Sequence, residues 1–372
     1  MTAEADDSFM RRALALARRG LGLASPNPMV GAVLVKDGDV IGEGWHEGPG
    51  TPHAEAMALA RAGDRARNAT LYITLEPCSH FGRTGPCAPA VREAGVTRVV
   101  AAMRDPYPLV DGRGFELLRE GGVSVEEGLL ASEAERLVEG FVHVVRTGLP
   151  LVVLKMASSL DGKVAARDGS SRWITGGAAR QDAHRLRAGS DAVVVGAGTA
   201  VTDDPSLTVR LEGYRGRQPL RVVVDGRGRL EPRGHLFDGA APTLVATTPG
   251  APEDRREAWE KAGAEVATFE QAEDRPECRV PLGELVEFLA KRDAQTVLIE
   301  GGPTLAWEAV SLGVVDRFVL YLSPKLIGGR DAPPVLGGGG VGTIAEAIGA
   351  EIIAVERMGD DLKVVADVHG HH

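Results

Sequence analysis

The sequence predicts an α/β fold in two domains, and three observations predict it. The chain has 372 residues, more than one ordinary domain holds. Short apolar runs alternate with segments of helical periodicity along most of its length. That alternation breaks at Thr147-Gly148-Leu149-Pro150 and restarts with a new apolar run. The boundary therefore falls after residue 147, giving domains 1–147 and 148–372, with no repeat between them.

The first half opens with apolar residues Phe9, Ala13, Leu16 and Ala17 at helical spacing, which predicts a helix over 9–19 ending at Gly20. Ser25-Pro26-Asn27-Pro28 is a turn. Residues 29–35 and 40–45 read as strands joined by the hairpin turn Lys36-Asp37-Gly38-Asp39. A helix over 53–62, a strand over 70–75, a loop over 76–86 and a helix from Cys87 to Ala94 follow. Residues 96–102 and 123–126 are strands, 115–120 a helix, and 133–146 one further helix. One opening hairpin followed by strand–helix alternation predicts a three-layer α/β sandwich.

In the second half, strands are expected over 151–156, 191–195, 221–224, 243–246, 264–268 and 296–299. Helices are expected over 178–187, 253–262, 282–292 and 305–311, and strands 318–322 and 362–367 close a mainly parallel sheet. Gly196-Ala197-Gly198 and Glu300-Gly301-Gly302-Pro303-Thr304 follow apolar strands as glycine-rich turns. Either turn allows a phosphate to approach the backbone, and the second opens a helix. Ordinary strand-to-helix turns need glycine too, and no full dinucleotide fingerprint is present.

Composition narrows the function. Net charge is −10, with 42 Lys+Arg against 52 Asp+Glu and no basic stripe, which argues against nucleic acid as a partner. No apolar run approaches the ~20 residues of a membrane span, and residues 1–7 are acidic rather than a secretory leader. Three cysteines, Cys78, Cys87 and Cys278, are too few for a disulfide framework. A cytoplasmic protein acting on a small molecule is expected.

The chemistry concentrates between His53 and Cys87. His53-Ala54-Glu55 is followed by Pro77-Cys78 and Pro86-Cys87. One imidazole and two thiolates hold zinc with its fourth corner open. A carboxylate two residues beyond the histidine is then left to move protons for an activated water, the pattern of zinc-dependent nucleobase deaminases. Metal ligands are thus His53, Cys78 and Cys87, and the catalytic residue is Glu55. The predicted elements put His53 and Cys87 at helix starts, where partial positive charge favours thiolate.

Eight residues separate the two cysteines, where the simplest deaminases have two. The insert holds His80 and Arg83, and a guanidinium beside the metal suits a larger, anionic substrate. His80 as a fourth ligand would close the site, so it reads as a substrate contact or a loop-packing residue.

At this point a resemblance becomes specific. The chain resembles the bifunctional deaminase/reductases of riboflavin biosynthesis. It does so at Pro26-Asn27-Pro28-Met29-Val30-Gly31, at His53-Ala54-Glu55 and over residues 77–87. The second half matches at Lys155-Met156-Ala157-Ser158-Ser159-Leu160-Asp161-Gly162-Lys163, Trp173-Ile174-Thr175, residues 203–210 and Glu300-Gly301-Gly302-Pro303-Thr304. Gly85 stands where the family usually has proline. The resemblance implies a cytidine-deaminase-like sandwich followed by a dihydrofolate-reductase-like α/β domain using NADPH. It implies deamination of 2,5-diamino-6-ribosylamino-4(3H)-pyrimidinone 5′-phosphate. Reduction of the ribosyl group of 5-amino-6-(5-phosphoribosylamino)uracil to ribityl follows.

By the same resemblance Asn27 and Arg83 contact the first substrate; Asn27 equally suits a turn. Ala157, Trp173, Thr199, Asp203, Gly302, Pro303, Thr304, Leu305, Ala306, Trp307 and Glu308 line the cofactor. Ser171, Arg187, Leu207, Arg210 and Glu300 line the second substrate, with Arg187 and Arg210 suited to holding phosphate. Lys155 and Asp161 fit a structural role or polarisation of an imine equally well. Cys278 reads as structural or exposed, and the tail His369-Gly370-His371-His372 as a frayed end. A homo-oligomer, dimer or tetramer, is expected through the second half. A plain deaminase with a ligand-binding second half would release ammonia without oxidising NADPH. A structural zinc protein would do neither.

Overall fold

The computed structural model describes residues 2–80, 85–270 and 279–368. The chain divides into two compact units, Met1–Gly148 and Leu149–His372.

The first unit runs α1 (Ala3–Ala17), β1 (Gly31–Lys36), β2 (Asp39–Trp45), α2 (Ala54–Ala62), β3 (Thr70–Ile73), α3 (Cys87–Glu93), β4 (Arg98–Ala101), α4 (Arg113–Glu120), β5 (Ser124–Glu127), α5 (Ala131–Leu137) and α6 (Glu139–Thr147). Its sheet has the order β2-β1-β3-β4-β5. β1 is antiparallel to β2 and β3, while β3, β4 and β5 are parallel. Side chains alternate across the strands, so each face carries its own core. Leu34, Leu71, Ile73 and Val99 pack on one face against Ala54 and Ala58 of α2, Val91 of α3 and Phe115 of α4. Val33, Val35, Tyr72 and Val100 pack on the other against Met10 and Leu14 of α1 and Ala134 of α5. This is the expected three-layer sandwich.

Gly44 of β2 sets the height of α2. A Cβ there would lie 2.1 Å from the Ala54 carbonyl oxygen, so only glycine lets the helix start rest on the strand. The single helix expected over 133–146 is two helices. Val138 leaves helical geometry (φ −113°, ψ 23°), and α6 starts afresh after it.

The second unit runs β6 (Leu151–Ser159), α7 (Gly177–Ala188), β7 (Ala192–Gly196), α8 (Ala197–Asp203), β8 (Leu220–Val224), β9 (Thr243–Thr247), α9 (Glu253–Lys261), β10 (Glu265–Thr268), α10 (Leu282–Ala290), β11 (Thr296–Ile299), α11 (Pro303–Ser311), β12 (Arg317–Ser323), β13 (Ala350–Met358) and β14 (Asp361–Val368). The strand order is β10-β9-β8-β7-β11-β6-β12-β14-β13. The first seven in that order pair in parallel and the β14-β13 hairpin is antiparallel. Val152, Leu154, Val194 and Ile299 face α10 and α11, through Leu285, Leu289 and Ala309. Val153, Val193, Val195 and Tyr321 face Ala179 of α7 and Trp259 of α9.

Two elements here differ from the sequence reading. Gly196-Ala197-Gly198 is not an open turn: Gly196 caps the short helix α8. Its threonines and Val201 disfavour helix, and burial of Ala197 and Ala200 holds it. Strand β13 escapes periodicity because its register shifts between Ile352 and Ala354, which breaks the alternation of faces. Among the described residues, no helix is long and apolar enough to cross a membrane.

Candidate active sites

In the first unit the site assembles at two helix starts. His53 is the residue before α2, in extended conformation, and Cys87 is the first residue of α3. Cys78 lies between them in the loop after β3. The Sγ atoms of Cys78 and Cys87 stand 3.6 and 3.4 Å from His53 Nδ1. All three ligand atoms lie within 4.8 Å of one another. Two ligands at ordinary zinc bond lengths and a tetrahedral angle are about 3.6 Å apart. The donor set and its spacing therefore fit zinc.

The local electrostatics favour the thiolate of Cys78. The backbone N–H of Cys87 donates to Cys78 Sγ at 3.4 Å, and the N–H of Ala88 donates to the Cys78 carbonyl at 3.0 Å. A hydrogen bond from Cys87, opposed by burial and reinforced by His53, brings the Cys78 thiol down to about 4. The Cys87 thiol, which donates a hydrogen bond to Cys78 and is buried, is pushed up. Glu55, in the first turn of α2, is only 3% exposed. Burial first, and the Cys78 charge second, push its carboxyl up to about 7, suited to taking and giving protons near neutrality.

Two residues with no signature in the sequence complete this site. His46, 4% exposed, lies edge-on to His53 with ring centroids 5.4 Å apart. Its Nδ1 is 3.3 Å from the Pro52 carbonyl, which can only accept, so Nδ1 carries the proton. Nε2 then accepts from Asn27 Nδ2 at 2.9 Å, and burial holds the ring neutral. Asn27 is thereby drawn to the metal-side ring, its Oδ1 left as an acceptor. Glu76, also buried, accepts backbone N–H groups of Asp105, Gly112, Gly114 and Phe115 at 2.9–3.2 Å. This ties the start of α4 to the loop bearing Cys78. A Cβ on Gly114 would sit 2.0 Å from the Pro77 carbonyl oxygen, so the two segments are in close contact.

His80 does not join the metal-capable cluster found among the described residues. Its ring lies 6.0 Å from that of Tyr107, and its buried Nδ1 has no partner among the described residues. Arg83, Cys278 and the histidine tail lie outside the described residues.

The second unit holds a cleft of about 1350 Å³ along the carboxyl ends of its parallel strands. Of the residues expected at the cofactor, Ala157, Trp173, Thr199, Asp203, Gly302, Pro303, Thr304, Leu305 and Glu308 line it. Ala306 and Trp307 do not. A helix turns about 100° per residue, so seven consecutive positions cannot share one face. Ala306 packs into the core, and Trp307 packs against Gly338. Ser171, Arg187, Leu207, Arg210 and Glu300 all line the cleft.

Arg187 differs in its engagement. Its Nε and Nη2 fork onto Glu300 at 2.5 and 2.8 Å, and Nη1 donates to the Thr208 carbonyl at 3.1 Å. Its charge is matched inside the protein rather than offered to a phosphate. Lys155 Nζ adds a third contact, 3.7 Å from Glu300. Burial pulls the Glu300 carboxyl up, but Arg187 and Lys155 outweigh it and bring it down to about 2. α7, which carries Arg187, is held to the sheet by Asp182, which accepts from Tyr321 Oη at 2.6 Å and pairs with Lys363 at 2.7 Å.

Asp161 does not line the cleft. It accepts from Ser159 Oγ and from the backbone of Ile327 and Gly328, so its role is to pin that loop. Lys155 does line it. Trp173 is 64% exposed, with the Arg180 guanidinium 4.5 Å above its ring, rather than a core indole.

Both units match known protein families. A family model for the cytidine and deoxycytidylate deaminase zinc-binding region matches residues 3–103, and one for the RibD C-terminal domain matches residues 150–364. Riboflavin biosynthesis protein RibD of Bacillus amyloliquefaciens is 41% identical over 362 residues, 97% of this chain and 96% of that protein. RibD of Escherichia coli K12 is 41% identical over 368 residues, 96% and 98% of the two chains. The structure of Acinetobacter baumannii RibD, form 1, superposes with a TM-score of 0.85 at 38% identity, covering 98% of this chain and 99% of that one. A Thermotoga maritima structure described as a diaminohydroxyphosphoribosylaminopyrimidine deaminase/5-amino-6-(5-phosphoribosylamino)uracil reductase gives 0.85 at 36% identity, with the same coverage. The chain belongs to the RibD family, the bifunctional zinc-dependent deaminases and NADPH-dependent reductases of riboflavin biosynthesis.

Proposed function

We propose that the first unit removes the 2-amino group of 2,5-diamino-6-ribosylamino-4(3H)-pyrimidinone 5′-phosphate. The second unit then reduces the ribosyl group of the resulting 5-amino-6-(5-phosphoribosylamino)uracil to ribityl. The observation that carries this reading is the convergence of His53, Cys78 and Cys87 beside a buried Glu55, in a chain whose other unit holds the Glu300 cleft.

His53 Nδ1 and the sulfurs of Cys78 and Cys87 would hold zinc. When bound, zinc supplies Lewis acidity that draws the pKa of a water toward neutrality. Glu55 accepts the proton of the attacking water on its carboxylate. It returns protons to the ring nitrogen and to the departing amine, which leaves as ammonia. Asn27, fixed by His46, presents Oδ1 to a donor on the pyrimidine. Arg83 holds the phosphate region.

In the second unit NADPH, when bound, would supply a hydride for the sugar C1′. Ala157, Trp173, Thr199, Asp203, Gly302, Pro303, Thr304, Leu305 and Glu308 would hold and orient the cofactor, and the N-terminus of α11 suits an anionic group. Ser171, Leu207 and Glu300 position the substrate, and Arg187 and Lys155 hold Glu300 ionised. Arg210, at the cleft, supplies the charge for the substrate phosphate. Lys155 rather than Asp161 is the group able to protonate the imine nitrogen.

The enzyme is cytoplasmic and a homo-oligomer, dimer or tetramer, through the second unit. Ile352, Ile353 and Val355 lie exposed on β13, at the edge of the sheet, in support of that assembly.

Paired assays on the zinc-loaded chain test the reading. Ammonia release from the diamino substrate should be followed by NADPH consumption. Ammonia without NADPH loss would reduce the second unit to a binding module. Release of neither would leave the metal purely structural.

A further inference from the structure

Arg210 is assigned to the substrate phosphate, yet it lies in a segment without helix or strand. A long side chain on an irregular segment has rotamer and backbone freedom to lose on binding, which weakens the complex. Fixing the backbone in advance recovers part of that loss.

The segment 204–210 is strained. Asp204 and Leu207 are non-glycine residues in the left-handed region, with φ +41° and +51°. Such conformations persist only where the surroundings over-determine them. His235 holds Asp204, its backbone N–H and ring Nδ1 meeting the carboxylate at 2.8 and 2.9 Å. Beyond that point burial alternates. Leu207 and Val209 are buried, Thr208 is half-buried, and Arg210 is exposed at the cleft.

The backbone groups alternate too, as in a strand, but side chains take the place of neighbouring strands. Toward α7, the Thr208 carbonyl accepts from Arg187 Nη1 at 3.1 Å, and the Arg210 N–H donates to His184 Nδ1 at 3.2 Å. Between them Val209 is gripped by Gln218, nine positions on. Its N–H donates to Gln218 Oε1 at 2.7 Å, and its carbonyl accepts from Gln218 Nε2 at 3.3 Å. A primary amide offers the same donor and acceptor as a peptide group. One side chain thus makes both bonds that a residue of an antiparallel strand would make.

Gln218 is itself fixed on both sides. The Tyr214 hydroxyl donates to the Arg217 carbonyl at 2.7 Å, and the Tyr214 ring packs against Gly216. Pro219 is buried, and the Leu220 N–H donates to the Asp191 carbonyl at 2.8 Å where β8 begins. The amide is therefore anchored to the sheet and carries that rigidity to Val209 and its neighbour. Gln218 does not line the cleft. We propose that Gln218 is a positioning residue of the reduction: on the reading of Arg210 as the phosphate holder, its grip on the Val209 backbone aims Arg210 at the substrate.

Steady-state kinetics of NADPH oxidation by the full zinc-loaded chain, with 5-amino-6-(5-phosphoribosylamino)uracil as substrate, test this in a cycle of variants. Gln218→Ala should raise KM for that substrate by roughly 5- to 10-fold and KM for NADPH by no more than about 2-fold. Gln218→Met fills the space without either hydrogen bond and should match the alanine variant. In an Arg210→Ala background, Gln218→Ala should add less than about 2-fold, because the group it aims is gone. Full additivity in the double variant, a methionine variant with the native KM, or an equal rise in KM for NADPH overturns the proposal. Should the alanine variant fail to fold, the methionine variant takes its place in the same cycle. An Arg210→Ala chain with unchanged substrate KM overturns the phosphate reading of Arg210 itself, whereas a raised KM there with native kinetics in both Gln218 variants overturns the positioning role alone.

Discussion

Replacing Glu300 with glutamine should destabilise the second unit sharply, and the structure supplies the magnitude. Arg187 and Lys155 are only 14% and 17% exposed, and both depend on this carboxylate. Its drop from the ordinary 4.5 to about 2 corresponds to about 3 kcal/mol of folded-state interaction. Glutamine removes that interaction and leaves two largely buried cations without a counter-ion, so the cost should be about 3–5 kcal/mol at pH 7. Equilibrium urea unfolding followed by tryptophan fluorescence reads the effect. Three of the four tryptophans, Trp173, Trp259 and Trp307, lie in the second unit. The midpoint should fall by on the order of 1–2 M urea. A depressed carboxyl stabilises fully above its unfolded value and loses that contribution as pH falls through its folded value. The gap between native and variant chains should therefore shrink to roughly half by about pH 3. A variant less than about 1 kcal/mol below the native chain, or a gap constant between pH 7 and 3, would refute this reasoning.

Glu55→Gln should retain one zinc per chain while ammonia release falls by roughly 10²–10⁴-fold, because an amide cannot shuttle protons; metal analysis with an ammonia assay checks both. Arg210→Ala should raise KM for the reductase substrate by roughly 10-fold or more and leave deamination untouched; equal loss in both steps would mean one shared site. Asp161→Asn should leave hydride-transfer chemistry, read as a primary isotope effect on NADPH oxidation, unaltered while lowering the melting temperature. A changed isotope effect would return Asp161 to the reacting centre.

What the sequence made legible follows from what is local or periodic. The short apolar runs of β1, β3 and β4, buried along almost their whole length, and the spacing of His53, Glu55, Cys78 and Cys87 need no tertiary knowledge, because each is a local pattern in the chain. His46 and Glu76 were invisible for the opposite reason. Their partners are a proline carbonyl, an asparagine amide and four backbone N–H groups brought in by folding, and backbone groups leave no residue signature. Arg187 looked like a phosphate holder because its partner Glu300 lies 113 positions away. Ala306 and Trp307 fell inside a continuous motif, yet helical rotation sends them to the core and to Gly338. The strand β13 was hidden by a bulge, and α8 by β-branched residues whose poor propensity is overridden by burial.

The central claim is an open three-ligand metal site. X-ray absorption at the zinc edge of the loaded chain measures it directly. Two sulfur neighbours at about 2.3 Å and one nitrogen with one further light atom at about 2.0 Å are expected, the nitrogen from His53 and the light atom from solvent. A Cys87→Ser chain should show a single sulfur. A second imidazole filling the fourth position, or a purified chain that takes up no zinc, would contradict the account.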